Sequence, residues 1–201
     1  MLASKTPILF VHLIGLALSV GLVALLDLRL FRLLLGQPVT RLDVELLRLA
    51  HPLIQVGLIL LWLSGLGFLL HYYHYAPQSL ANPKVHAKII IVGVLTFNGL
   101  LVDRVATRHL AASVGLPLFA TLTAGQERLL LTIGAISAVS WYLPVFLGAA
   151  KELNFALPAS ALLVVYGWSI AGAVATLMAL RHYSYRPHLI ADYWSRATLL
   201  R

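Results

Sequence analysis

The chain has no cysteine. That excludes disulfides, thiolate metal sites, cysteine nucleophiles and c-type haem attachment. Methionine occurs twice, which argues against a copper(I) conduit built on soft thioether ligands. Charge is scarce as well. Asp, Glu, Lys and Arg make up 11% of 201 residues, against about 25% in soluble domains. With 60% hydrophobic residues and a mean hydropathy of +0.89, too little polar surface is left to cover a globule in water, so lipid is the expected solvent. No nucleotide-binding loop, nucleophile elbow or paired-carboxylate motif is present. No inverted repeat is evident, which argues against a self-contained transporter. No linker or low-complexity segment interrupts the chain, so residues 1–201 read as a single transmembrane helical domain.

What is present is apolar length. A membrane span needs about 20 apolar residues, and five runs qualify: roughly Pro7 to Leu26, Leu49 to Leu70, Pro83 to Val102, Leu129 to Ala149, and Pro158 to Leu180. The first run is too long for a signal peptide and has no small-residue cleavage site, so it reads as a retained span. Asn82 caps the third span and Pro83 takes its first helical position. Pro52 removes an amide from the second span and frees the Arg48 carbonyl. The stretch from Ala106 to Gln126 is apolar but broken by Gly115, Pro117 and Gly125, and reads as an interfacial helix or re-entrant loop. The fold class is therefore all-α, an integral membrane bundle of five transmembrane helices.

The eleven arginines and four lysines divide cleanly. Arg29, Arg32, Arg41 and Arg48 lie between spans one and two. Arg104, Arg108 and Arg128 lie between spans three and four, and Arg181, Arg186, Arg196 and Arg201 close the chain. Lys5, Lys84, Lys88 and Lys151 flank the opposite ends. The positive-inside rule then places the amino terminus outside and the carboxyl terminus in the cytoplasm, as in a multi-pass protein of the bacterial inner membrane. Tyr72, Tyr73 and Tyr75 after span two, and Tyr183, Tyr185, Tyr193 and Trp194 after span five, read as aromatic belts. The net charge of +8 is spread over short loops, so it matches anionic lipid headgroups and no nucleic acid. Asp27 beside Arg29, and Asp103 beside Arg104, read as interfacial ion pairs.

Ionisable groups inside spans are costly and mark functional sites by default. His12 in span one and His86 in span three have equal depth near the outer face. Two such histidines on different helices suit bis-imidazole ligation of haem b, with Gly15 and Gly93 leaving room for the macrocycle. The bland alternative has His12 bonded to backbone and His86 among headgroups. Lys88 points about 200° away from His86 round the helix. It binds a propionate or snorkels to the interface. His71 and His74 share a helix face and, with His12 and His86, make the outer metal-ligand set; the alternative is an interfacial girdle. His51 and His182 share an inner level where a second haem would sit. Asn98 and Ser140 read as interhelical hydrogen-bonding groups.

Several stretches carry a resemblance. They are His12-Leu-Ile-Gly-Leu-Ala-Leu18, Leu26-Asp-Leu-Arg-Leu-Phe31, Trp62-Leu-Ser-Gly-Leu-Gly67, Asn82-Pro-Lys-Val-His-Ala-Lys88, Leu95-Thr-Phe-Asn-Gly99, Ser140-Trp-Tyr142 and Leu147-Gly148. Over spans one to four the chain resembles a group of small five-span bacterial inner-membrane proteins of unknown function. At His12 and Lys88 it is similar, more distantly, to integral-membrane protoporphyrinogen oxidases of the HemJ type, and it is distantly similar to CopD-like membrane proteins. The resemblance implies haem or copper at the outer histidines.

Three functional readings follow. The first is a haem b protein that moves electrons near the periplasmic face, with a quinone or a periplasmic redox protein as partner; porphyrinogen oxidation is its enzymatic variant. The second is handling or transport of a metal such as copper. The third is a non-catalytic accessory subunit of a membrane complex.

Overall fold

The computed structural model describes residues 5–184. Arg186, Arg196, Arg201, Tyr185, Tyr193 and Trp194, placed above after span five, lie outside them. Six helices follow in order: α1 (Thr6–Leu34), α2 (Arg41–Tyr75), α3 (Pro83–Leu101), α4 (Thr107–Ala112), α5 (Ala124–Ala149) and α6 (Ala159–Ser184). A π-helical turn, Val102–Ala106, joins α3 to α4, so Pro83–Ala112 runs as one helix. Five helices are long and apolar enough to cross a membrane, and no β-strand occurs among the described residues.

The helices overrun the apolar stretches mostly at one end. α1 continues from Leu26 to Leu34, and α2 starts at Arg41 instead of near Leu49. Local chemistry causes this. Thr40 and Asp43 form a capping box that starts α2, and Thr123 with Gln126 does the same for α5. Each box satisfies amides that the first helical turn leaves open. Thirty-five residues make α2 about 52 Å long at 1.5 Å per residue, well beyond the roughly 30 Å of a hydrocarbon core. Asn82 and Pro83 start α3 as read from the sequence, and the Lys84 amide donates to Asn82 Oδ1 at 3.1 Å.

Contacts between helices give an antiparallel order. Ser19 on α1 donates to the Ile54 carbonyl on α2 (3.4 Å). Trp62 on α2 donates to Thr96 on α3 (3.1 Å). Asn98 on α3 donates to the Ile133 carbonyl on α5 (3.1 Å), and Ser140 on α5 meets Tyr166 on α6 (2.7 Å). Asn98 and Ser140 are thus interhelical hydrogen-bonding groups. The α1–α2 seam is built on small residues. A methyl placed on Gly15 would come within 2.9 Å of the Gly57 carbonyl, and one on Gly57 would overlap the Ser19 hydroxyl. Close backbone approach of this kind holds helices together where burial of apolar surface offers no advantage over lipid. Gly15 is therefore a packing residue and leaves no room for a ring; the space beside Gly93 is open.

The bundle has a lysine end and an arginine end. At the arginine end the connecting loops pair with each other. The Val39 amide donates to the Leu116 carbonyl (2.9 Å), and the Gly115 amide donates to the Val39 carbonyl (2.8 Å). Gly115 has φ +86, a left-handed turn that glycine adopts without a Cβ penalty. Leu118 and Phe119 from this loop bury against Leu33, Leu34, Leu110 and Leu131. The apolar stretch after α4 is a plug packed beneath the helix ends.

Candidate functional site

The arginine end is closed by ion pairs, though not the ones expected from sequence neighbours. Arg29 pairs with Asp43 through two hydrogen bonds, Nε to Oδ1 at 2.5 Å and Nη2 to Oδ2 at 2.9 Å, and also donates to Gln37. Asp43 is 5% exposed, and the Thr40 amide and hydroxyl donate to it too. Arg181 on α6 pairs with Glu127 on α5 at 2.9 Å and lies over the Phe119 ring. Asp103 meets His51 at 3.4 Å, and Asp27 accepts a hydrogen bond from Tyr142 on α5 (3.1 Å). A neighbour in sequence on a helix points to another face, so Arg29 reaches past Asp27 to Asp43, and Asp103 meets His51.

The lysine end is open. Its feature is a cleft of about 290 Å³ walled by Tyr72 from α2, Lys84, Val85 and Lys88 from α3, and Leu147 and Gly148 from α5. Ser79, Asn82, Asn154 and Phe155 form its rim. Asn82 Nδ2 donates to Asn154 Oδ1 at 3.2 Å and ties the α2–α3 loop to the loop after α5. Phe155 stands next to this clasp with φ 58, in the left-handed region, and is 59% exposed. Such a conformation costs a non-glycine residue about 1–2 kcal/mol, and strain of that kind gathers at ligand-facing segments.

Lys84 was read from sequence as a flanking charge, but it is 3% exposed and its ammonium donates to the Ala150 carbonyl at 2.5 Å. Ala150 is the C-cap of α5, where a cation opposes the negative end of the helix dipole. The two residues are 66 positions apart, so no local pattern announced the contact. Lys88, one turn further in, is half-buried. Among the described residues it makes no ion pair with a carboxylate, and no acidic side chain lines the cleft.

His12 sits within electrostatic range of Lys88. Its Nδ1 is 2.8 Å from Ser64 Oγ on α2, and its ring meets Phe68 edge-on at 5.6 Å. Ser64 has one hydroxyl hydrogen, and it is directed at the Leu60 carbonyl (2.6 Å). With that hydrogen on the carbonyl, the Ser64 oxygen accepts from His12 Nδ1–H. That tautomer leaves the lone pair on Nε2, the arrangement a metal-ligating imidazole requires.

The other histidines lie apart from this pair. His86 is exposed, across α3 from the buried face formed by Lys84, Ala87 and Ile91. Among the described residues no hydrogen bond or ring contact joins His86 to His12. His71 meets Tyr72 edge-on and Tyr75 at a tilt, and His74 meets Tyr73 edge-on and Tyr75 at a tilt, in an aromatic collar at the end of α2. At the arginine end, His51 engages Gln55 and Asp103 while His182 is exposed beside Tyr183. Among the described residues no three His, Asp or Glu side chains converge on a point that would hold a metal ion.

No family model, curated protein or solved structure matches this chain. The functional reading therefore rests on the geometry of the cleft and of His12.

Proposed function

We propose that this is a multi-pass protein of the bacterial inner membrane that would carry haem b near its outer face, held at His12 Nε2. The arginine end faces the cytoplasm and the amino terminus faces outward, in keeping with the positive-inside rule. The observation that carries the reading is the Ser64–His12 hydrogen bond, which fixes the imidazole and leaves Nε2 as the basic nitrogen.

Haem bound there would supply one-electron exchange with a quinone or a periplasmic redox protein. The residues around it do the rest. Ser64 holds the ligand ring in orientation, and Phe68 covers its edge and keeps water from that side. Lys88 places a positive charge within electrostatic range of His12. His86 is exposed and does not meet His12, so it would not hold the group together with it.

Absorption spectroscopy of the purified protein tests the reading. A Soret band is expected in the wild type, abolished or strongly shifted by His12→Ala and unchanged by His86→Ala. A colourless preparation that retains copper would replace haem with metal handling. One with neither would leave an accessory membrane subunit.

A further inference from the structure

We propose that the cleft at the lysine end is a binding site for one anionic group, a carboxylate or a phosphate, with Lys88 as its counter-ion. The site is independent of haem at His12, because every wall of the cleft comes from the protein chain itself.

The charge arrangement carries the proposal. Two ammonium groups one helical turn apart line the same cleft, and no carboxylate lines it. Lys84 already has a partner, the Ala150 carbonyl at the end of α5. Lys88 has no carboxylate partner among the described residues, although it is half-buried. Withdrawing an ammonium from water is costly without an opposite charge. A snorkelling lysine avoids that cost by extending to the surface, whereas Lys88 lines a walled cleft next to a second cation. The remaining polar lining suits the same ligand. Tyr72 and Ser79 offer hydroxyl donors, and the amino-terminal turn of α3 turns its positive dipole end toward this level. The rim is built for entry. The Asn82–Asn154 clasp fixes its edge, and Phe155 is held exposed in a strained conformation beside it. An aromatic ring there offers an apolar surface to whatever body carries the anionic group.

A phosphate or carboxylate reaches this cleft from two sources, the headgroup of an outer-leaflet lipid or a small acid from the aqueous side. Two arms separate them. In the first, the protein is extracted into nanodiscs containing phosphatidylglycerol or only phosphatidylcholine, and native mass spectrometry counts retained lipid. In the second, protein in phosphatidylcholine discs is titrated with inorganic phosphate and with acetate at constant ionic strength, chloride serving as control, and thermal unfolding is followed. Expected is one tightly retained phosphatidylglycerol, or an upward shift of the unfolding temperature specific to phosphate or acetate. The first result identifies the headgroup, the second the soluble acid. Lys88→Met should weaken whichever response is seen at least tenfold, and Lys88→Arg should restore most of it. Asn154→Ala, at the rim, gives a second reading if Lys88→Met does not survive extraction, and should weaken the response several-fold. Repeating the measurement on His12→Ala separates this site from the haem reading: the anion response should persist there without a Soret band. No preference for anion over chloride in either arm, or an undiminished response in Lys88→Met with correctly folded protein, overturns the proposal.

Discussion

The two ends of this bundle solve the problem of buried charge in opposite ways. At the arginine end, Arg29 finds Asp43, Arg181 finds Glu127, and the connecting loops hydrogen-bond to each other over a plug of leucine and phenylalanine. At the lysine end Lys84 is satisfied by a helix terminus, Lys88 has no carboxylate, and the space beside it stays open. One end is finished by its own side chains. The other has a cation beside an open cleft, and a backbone strained at Phe155. Of the seven acidic residues, only Glu152 among the described ones stands at the lysine end, and it does not line the cleft.

The contrast can be broken most severely at Asp43. Asp43→Ala removes the Arg29 partner and the α2 capping box together. Loss of one member of a buried pair costs about 3 kcal/mol, and loss of a cap about 1 kcal/mol. Unfolding in detergent should show a loss of that order, with the anion response of the lysine end unchanged among molecules that remain folded. A loss below about 1 kcal/mol would mean that the arginine end is not locked by this pair. A smaller effect belongs to Ser64→Ala. Removing a group that orients a metal-bound imidazole weakens the metal site roughly 10- to 100-fold, so haem retention through purification should fall while folding is nearly unaffected. Full retention would show that His12 needs no support from α2. The smallest effect is expected at Phe155→Gly. Glycine adopts the left-handed region freely, so thermal stability should stay level or rise, by about 1 kcal/mol at most, while ligand retention in the cleft declines. A clear loss of stability would recast Phe155 as a packing residue and narrow the difference between the ends.

The sequence made the large features legible. Hydropathy located five helices, and the Asn82–Pro83 start and the Arg/Lys division were readable because caps, breakers and charge act locally or add up over whole segments. Helix ends were less legible. The extensions at α1 and α2 depend on the Thr40–Asp43 box, a signal that a hydropathy window passes over. Partner choice was hidden almost entirely. Arg29 lies two residues from Asp27 but bonds Asp43, and Lys84 bonds a carbonyl 66 residues away, because neighbours on a helix diverge by about 100° each. Equal depth on two helices suggested that His12 and His86 meet. Depth says nothing of azimuth, and the azimuth of His86 turns it away. Ser64 lies within the Trp62–Gly67 stretch, and its partner His12 is 52 residues away. A lone serine in an apolar helix was the available clue.

The pairing of the two loops bears on how the chain is assembled. Val39 is 1% exposed, and both its amide and its carbonyl are bonded to residues near 115. Residues near 39 are made long before those near 115, so the first hairpin exists before its loop has these partners. Its two backbone groups are satisfied here by main chain that follows the third long helix: two short stretches far from the cleft, each completing the other.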